Sequence, residues 1–366
     1  MATSQSTEPK ATGSVYTWVD ERLDLSSLIA LARHKRVPQH RHSFWYYWGG
    51  ISLFLFILQL LTGILLLVYY RPGREAYESV RSITYDMDFG WLIRSTHSWS
   101  ANLMVFAVMV HMFSVFFMKA YKKPREFGWW TGLALFGLTL VFGFSGYLLP
   151  MDELAYFATK VGLQIPSMMP GVGSLITDII RGGPDVNEAT VQRFFALHVV
   201  ILPLLFLPLL MFHLYLVQKH GNAVPPSEEA RPAAERRSVP FFPNFLAMDL
   251  AMWLIALNVV TVLATLFPWD LGAPGDALSP TPLGIHPEWY FMSQFQLLKV
   301  IGQIVPGMSG EVLDMALFTG ILIFWALVPL FDRDSAFGRR ARQTAWAGWL
   351  LLAGMLVLTI WGYAAL

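Results

Sequence analysis

The chain has no cysteine among its 366 residues. That excludes disulfides, thiolate metal sites and any thioether-linked prosthetic group within it. Charge is scarce as well. Asp, Glu, Lys and Arg together make up 14% of the residues, and the net charge is +1. So even a balance argues against nucleic acid as a partner. What remains is apolar: 55% of residues are hydrophobic and the mean hydropathy is +0.48. This composition belongs to an integral, multi-pass membrane protein.

Hydropathy predicts seven spans, at about 43–70, 91–119, 127–149, 190–218, 245–267, 312–331 and 343–365. Each approaches or exceeds the roughly 20 residues that a bilayer requires. Residues 1–13 read as a disordered polar tail. Residues 14–37 mix apolar and charged positions and read as an amphipathic surface helix, too charged to span. Residues 219–242 are rich in Pro, Ala, Glu and Arg and read as a linker. They separate a four-span half (14–218) from a three-span half (243–366). Eighteen of the 26 Lys and Arg lie in the N-terminal segment and in the loops at 119–126, 219–242 and 332–342. By the positive-inside rule these face the cytoplasm, so the N-terminus is cytoplasmic and the C-terminus is on the opposite side.

Two of the apolar stretches carry paired histidines. His97 and His111 are fourteen residues apart in the second span; His198 and His213 are fifteen apart in the fourth. At 1.5 Å rise per residue these separations are about 21 and 22 Å, and each pair leaves its helix by nearly one face. Both spans run from outside to inside. His97 and His198 therefore lie near the outer face, His111 and His213 near the inner. Two imidazoles facing each other across a flat macrocycle are what a six-coordinate haem iron needs. A single intramembrane histidine is explained as readily by buried hydrogen bonding. Two pairs of matched period favour two b-type haems, ligated by His97/His198 and by His111/His213.

The glycines repeat that period. Gly49 and Gly63 in the first span are fourteen apart, as are Gly132 and Gly146 in the third. A residue without Cβ lets another group approach the backbone closely. Glycines at the histidine depths would make room for a planar ring, whereas small-residue packing between helices is the plainer account of any one of them.

At this point the chain resembles the cytochrome b family of quinol–cytochrome c reductases, nearest to the b6f form. The first half is similar to cytochrome b6 through VYTWVDERL (15–23), YYRP (69–72), FGWLIRSTHSWSA (89–101), KKPRE (122–126) and GYLLP (146–150). The second half is similar to subunit IV through FPNFL (242–246) and TPLGIHPEWY (281–290). The fifteen-residue spacing and the seven spans are on the b6f side. The chain departs from that family at Tyr47, where a haem-attaching cysteine is usual, and at Ser98 and Met151. No covalent haem c is expected at Tyr47.

The resemblance implies an all-α transmembrane fold: a four-helix haem-binding bundle plus three further transmembrane helices. It implies the dihaem core subunit of a quinol:cytochrome c oxidoreductase. Such a subunit oxidises quinol on the outer side, moves electrons across the membrane through two b haems, reduces quinone on the inner side and so contributes to proton translocation. Glu288 of the PEWY motif would accept a quinol proton, with Tyr290 and Tyr147 beside it. Arg94 would neutralise a haem propionate. His220 and Asp249 are candidates for the inner quinone site. The implied partners are a Rieske iron–sulfur protein, a c-type cytochrome or other acceptor, and a second copy of the chain. The implied location is a bacterial cytoplasmic membrane. A dihaem b anchor of a dehydrogenase or hydrogenase would explain the histidines but not PEWY. A haem-free transporter or structural subunit would leave both periods as coincidence.

Overall fold

The computed structural model describes residues 15–167, 171–282, 284–304, 310–333 and 338–366. The tail expected at 1–13 lies outside them. The described chain is helical apart from one two-stranded ribbon.

Two short helices come first, α1 (Val15–Leu23) and α2 (Leu25–His34), followed by strand β1 (Arg36–Gln39). The first span is α3 (Tyr47–Leu67), and α4 (Ala76–Tyr85) lies in the loop after it. The second and third spans are α5 (Gly90–Phe117) and α6 (Glu126–Leu148). The next loop folds into α7 (Glu153–Gly162), α8 (Gln164–Ser167) and α9 (Gly173–Arg181). The fourth span enters as α10 (Glu188–Ala196), passes a π turn at Leu197–Ile201 and continues as α11 (Leu202–His220). Then come α12 (Pro226–Glu229), β2 (Arg237–Pro240) and the fifth span, α13 (Leu246–Leu266). A loop helix, α14 (Trp289–Ile304), precedes the sixth and seventh spans, α15 (Gly310–Phe331) and α16 (Arg339–Ala364).

Seven of these helices are long and apolar enough to cross a membrane. Their outward faces carry Leu204, Leu205, Leu254, Ile255, Leu350 and Ile360, all more than half exposed. Lipid tolerates such surfaces because helices satisfy their own backbone groups. The loop helices start where side chains cap them. Asp152 accepts the Ala155 N–H, and Asn187 and Thr190 cap each other's backbone at the start of α10.

The four N-terminal spans close around an apolar layer at mid-depth. Phe56, Met104 and Phe206 are buried with Leu55, Ala107, Leu135 and, from the fifth span, Val260. Phe56 lies midway between Gly49 and Gly63, Met104 midway between His97 and His111, and Phe206 near the middle of His198–His213. The Phe56 and Phe206 rings are 4.4 Å apart. The layer thus falls between the two histidine levels.

The stretch read as a linker is tied down. β2 pairs antiparallel with β1, Arg36 opposite Pro240 and Gln39 opposite Arg237. The Tyr46 hydroxyl donates to the Ala223 carbonyl at 2.6 Å. The two halves also pack directly, with Phe54 of the first span against Trp253 of the fifth at 5.4 Å. At the start of the third span, the Trp129 and Trp130 indoles donate to the Trp325 and Ala326 carbonyls of the sixth, both at 2.7 Å.

Candidate functional site

The four histidines adopt one pose. Each presents its Cε1 atom to a glycine on a flanking span. A Cβ built on Gly63 would lie 3.4 Å from His97, on Gly49 3.0 Å from His111, on Gly146 2.8 Å from His198 and on Gly132 3.3 Å from His213. Each glycine therefore serves one ring at its own depth: Gly63 and Gly146 the outer pair, Gly49 and Gly132 the inner pair. His97 and His198 face each other with centroids 6.5 Å apart and planes at 71°. His111 and His213 are within electrostatic reach of each other. Among the described residues there is no cluster of three or more His, Asp or Glu arranged for a bare metal ion; the histidines come as pairs.

The unequal spacings are reconciled by the π turn. The Leu202 N–H bonds back to Leu197, five residues earlier rather than four. Such a turn inserts one residue into the helix. Fifteen residues in the fourth span then give nearly the phase of fourteen in the second. Pro203 follows the turn and has no N–H for the regular ladder.

Three rings are anchored through Nδ1. His97 meets the Thr62 hydroxyl at 2.9 Å, His213 that of Thr131 at 2.8 Å and His198 that of Ser145 at 2.9 Å. Those hydroxyls already donate to carbonyls, Thr62 to Leu58 and Thr131 to Phe127. Hence the histidine Nδ1–H is the donor, and Nε2 keeps its lone pair. A ring fixed this way is ready to bind a metal through Nε2. His111 differs: its Nδ1 is buried without a hydrogen-bond partner among the described residues.

The outer pair opens into a cavity of about 360 Å³, which Arg94, Tyr147, Glu288 and Tyr290 also line. Glu288 and Tyr147 are both close enough to Tyr290 to act on it electrostatically. The Tyr290 hydroxyl sits where a side chain on Gly143 would be. Burial raises the Glu288 carboxyl above the usual carboxylate range, and His286 offsets part of that. Asp152 and Leu154, at the start of α7, complete this wall. Arg94 lines the cavity but is largely engaged elsewhere. It donates to the Trp269 carbonyl at 2.6 Å and to that of Asp270 at 3.1 Å, clamping the loop after the fifth span.

The inner candidates are less gathered. Asp249 rests on Gly50, so closely that a side chain there would displace it. Tyr47, beside it, stacks on Phe245 at 4.9 Å. No hydrogen bond or ion pair joins the His220 ring to Asp249 among the described residues; the His220 carbonyl accepts from Arg125 at 3.2 Å.

Residues 33–221 match the family described as cytochrome b/b6/petB, and residues 274–366 the family described as cytochrome b (C-terminal)/b6/petD. A cytochrome bc complex cytochrome b subunit of Chlorobaculum thiosulfatiphilum is 46% identical over 96% of this chain and 81% of its own length. The chain belongs to the cytochrome b family. Cytochrome b6 of Acaryochloris marina is 41% identical over 58% of this chain and 98% of its own length. A solved structure titled "Hyperthermophilic respiratory Complex III" superposes with a TM-score of 0.82 at 27% identity, covering 95% of this chain and 91% of that one. A membrane cytochrome b is an electron-transport protein, and these relatives are oxidoreductase subunits.

Among the features of this cytochrome b that sequence reasoning missed are the hydroxyls under the histidines, the loop helix α14 and the bond from Trp289 to Asn102. The first had a visible signal. Thr62, Thr131 and Ser145 each stand one residue before a period-matched glycine.

Proposed function

We propose that this cytochrome b is the quinol-oxidising and quinone-reducing core of a bc-type complex and holds two b-type haems in its four-span half. The observation that supports this most strongly is the repeated unit of ring, glycine and depth. Four histidines lie against four glycines, at two levels separated by a buried aromatic layer. The residues fit the group, because the glycines leave no Cβ beside the rings and three Nδ1 atoms are already bonded away from the metal-binding nitrogen. His97 and His198 would hold the outer iron, His111 and His213 the inner. Bound there, the haems supply one-electron carriers at two depths of the membrane.

The chain's own residues handle protons. A quinol hydroxyl in the outer cavity releases its proton to the Glu288 carboxylate. Burial raises its affinity for protons, which suits that task. Tyr290 and Tyr147 orient the ring beside it. The quinol gives up two protons and two electrons. One electron leaves to a high-potential partner, assigned to a Rieske iron–sulfur protein and then a c-type cytochrome. The other goes to the inner face, where two turnovers supply the two electrons that reduce one quinone, and Asp249 and His220 pass on the two protons taken from inside. Arg94 offsets negative charge at the outer haem edge. The basic loops support a cytoplasmic N-terminus by the positive-inside rule, and the implied membrane is a bacterial cytoplasmic membrane. Residues 14–218 and 243–366 act as two units joined by 219–242, and the complex is a dimer, as the resemblance implies.

The test is a pyridine haemochrome count on the purified complex, combined with turnover of Glu288→Gln. Two b haems per chain and a strong loss of quinol oxidation are expected. A complex isolated intact without haem would sink this reading.

A further inference from the structure

Three of the four hydroxyl–glycine positions are filled and one is not. Thr62 precedes Gly63 and bonds His97; Ser145 precedes Gly146 and bonds His198; Thr131 precedes Gly132 and bonds His213. The residue before Gly49 is Trp48. It has no hydroxyl, and its indole packs against Phe44 and Phe106 at 6.3 and 5.9 Å. His111 Nδ1 is left buried without a partner among the described residues, and so is Trp48 Nε1. The outer pair therefore has two anchored rings, and the inner pair has one.

That asymmetry has an electronic consequence. An imidazole whose N–H donates to an oxygen is the more basic ligand. A more basic ligand favours the oxidised metal and lowers its reduction potential, and such hydrogen bonding is one of the levers a protein holds over a haem. We infer that Trp48 is a tuning residue: by withholding a hydroxyl from His111 it raises the reduction potential of the inner site and so favours electron flow from the outer face to the inner. This rests on the two-haem reading above. Arg94, near the outer pair, acts in the other direction by favouring a reduced outer site. The test must therefore read the effect of each hydroxyl singly rather than the order of the two potentials.

The experiment is a spectroscopic redox titration of the purified complex, following each haem band. Trp48→Thr places a hydroxyl at the fourth position and is expected to lower the inner midpoint while the outer stays fixed. Thr62→Val, nearly isosteric, removes a hydroxyl from His97 and is expected to raise the outer midpoint alone. Trp48→Phe keeps an aromatic ring without a hydroxyl and is expected to leave both unmoved. If Trp48→Thr does not assemble, Thr62→Val decides, expected to shift only the outer midpoint upward. Two bound haems with unshifted midpoints, or shifts of opposite sign, overturn this inference and leave the haem assignment standing. A complex without haem overturns both.

Discussion

Trp289 donates its indole N–H to Asn102 Oδ1 at 2.9 Å. The Asn102 amide nitrogen donates in turn to the Ser98 carbonyl, one turn back, at 3.1 Å. Both ends of the amide are thus committed. Ser98 follows His97 directly, and Trp289 stands between Glu288 and Tyr290. One side chain therefore ties the helix of the outer histidine to the segment that carries the carboxylate. Asn102→Leu keeps the volume and removes both bonds. A buried hydrogen bond is worth about 1 kcal/mol net, roughly a fivefold rate effect if it is lost only where the reaction needs it. Steady-state quinol oxidation should fall by that factor with the haem content unchanged. An unchanged rate would mean that the carboxylate is held in place by other contacts.

Glu288 makes the pH dependence of the outer site predictable in sign. Burial disfavours its charged form and raises its pKa. In the role of proton acceptor proposed for it, it must be ionised, so quinol oxidation should fall as pH drops through that raised value. The acidic limb should lie above the range of an ordinary carboxylate. Glu288→Gln should lower the rate on the order of a hundredfold or more, the usual contribution of a positioned acid or base, and should remove the limb. A pH–rate profile of both forms tests this. A Gln variant that keeps the limb would transfer the role to another group.

Much of this architecture was legible in the sequence, for reasons that differ from part to part. The second span was expected at 91–119 and runs Gly90–Phe117; the fourth was expected at 190–218 and runs Glu188–His220. A bilayer fixes the length of such segments, so composition alone locates them. The facing of His97 and His198 followed from span direction and was therefore arithmetic. Which glycine meets which ring was not, because depth alone leaves two candidates at each level. The binding of residues 219–242 to the N-terminal segment was hidden for a different reason. Its ladder pairs Val37 with Val239, two hundred residues apart along the chain, and four-residue strands carry almost no pattern. The hold of Trp269 and Asp270 on Arg94 uses backbone carbonyls, which no sequence displays.

The glycines yield a graded prediction. A Cβ on Gly146 would sit 2.8 Å from His198 Cε1, and on Gly63 3.4 Å from His97 Cε1. The first distance forces a ring to move; the second is ordinary contact. Gly63→Ala should be tolerated, with two haems per chain retained. Gly146→Ala overpacks the site at a cost of roughly 1–3 kcal/mol and should lose the outer haem selectively. Haemochrome stoichiometry and the reduced-minus-oxidised spectrum read both outcomes. Equal behaviour of the two variants would show that the glycines serve helix packing and not the rings.

Asp332 is a polar centre of the joint between the two halves, where the loop after the second span meets the end of the sixth. Its carboxylate accepts from Lys119 Nζ at 2.7 Å and from the Tyr121 hydroxyl at 2.6 Å, and Lys122 lies 3.1 Å from its other oxygen. Lys119 also donates to the Ala341 carbonyl at 3.0 Å, at the start of the seventh span. Asp332 is fully buried and Lys119 nearly so. Replacing such a pair whole can be neutral, whereas removing one member strands a buried charge and costs about 3–5 kcal/mol. Asp332→Asn should therefore lower the thermal stability of the complex markedly, with no change in the two haem spectra before unfolding. Lys119→Met combined with Asp332→Leu should recover part of that loss, because neither buried member of the pair then keeps a charge without its partner. A thermal melt followed by haem absorbance distinguishes the cases. If Asp332→Asn melts with the unaltered protein, the Lys119–Asp332 pair does not hold the halves, and the Trp129 and Trp130 bonds to the sixth span become the dominant contact.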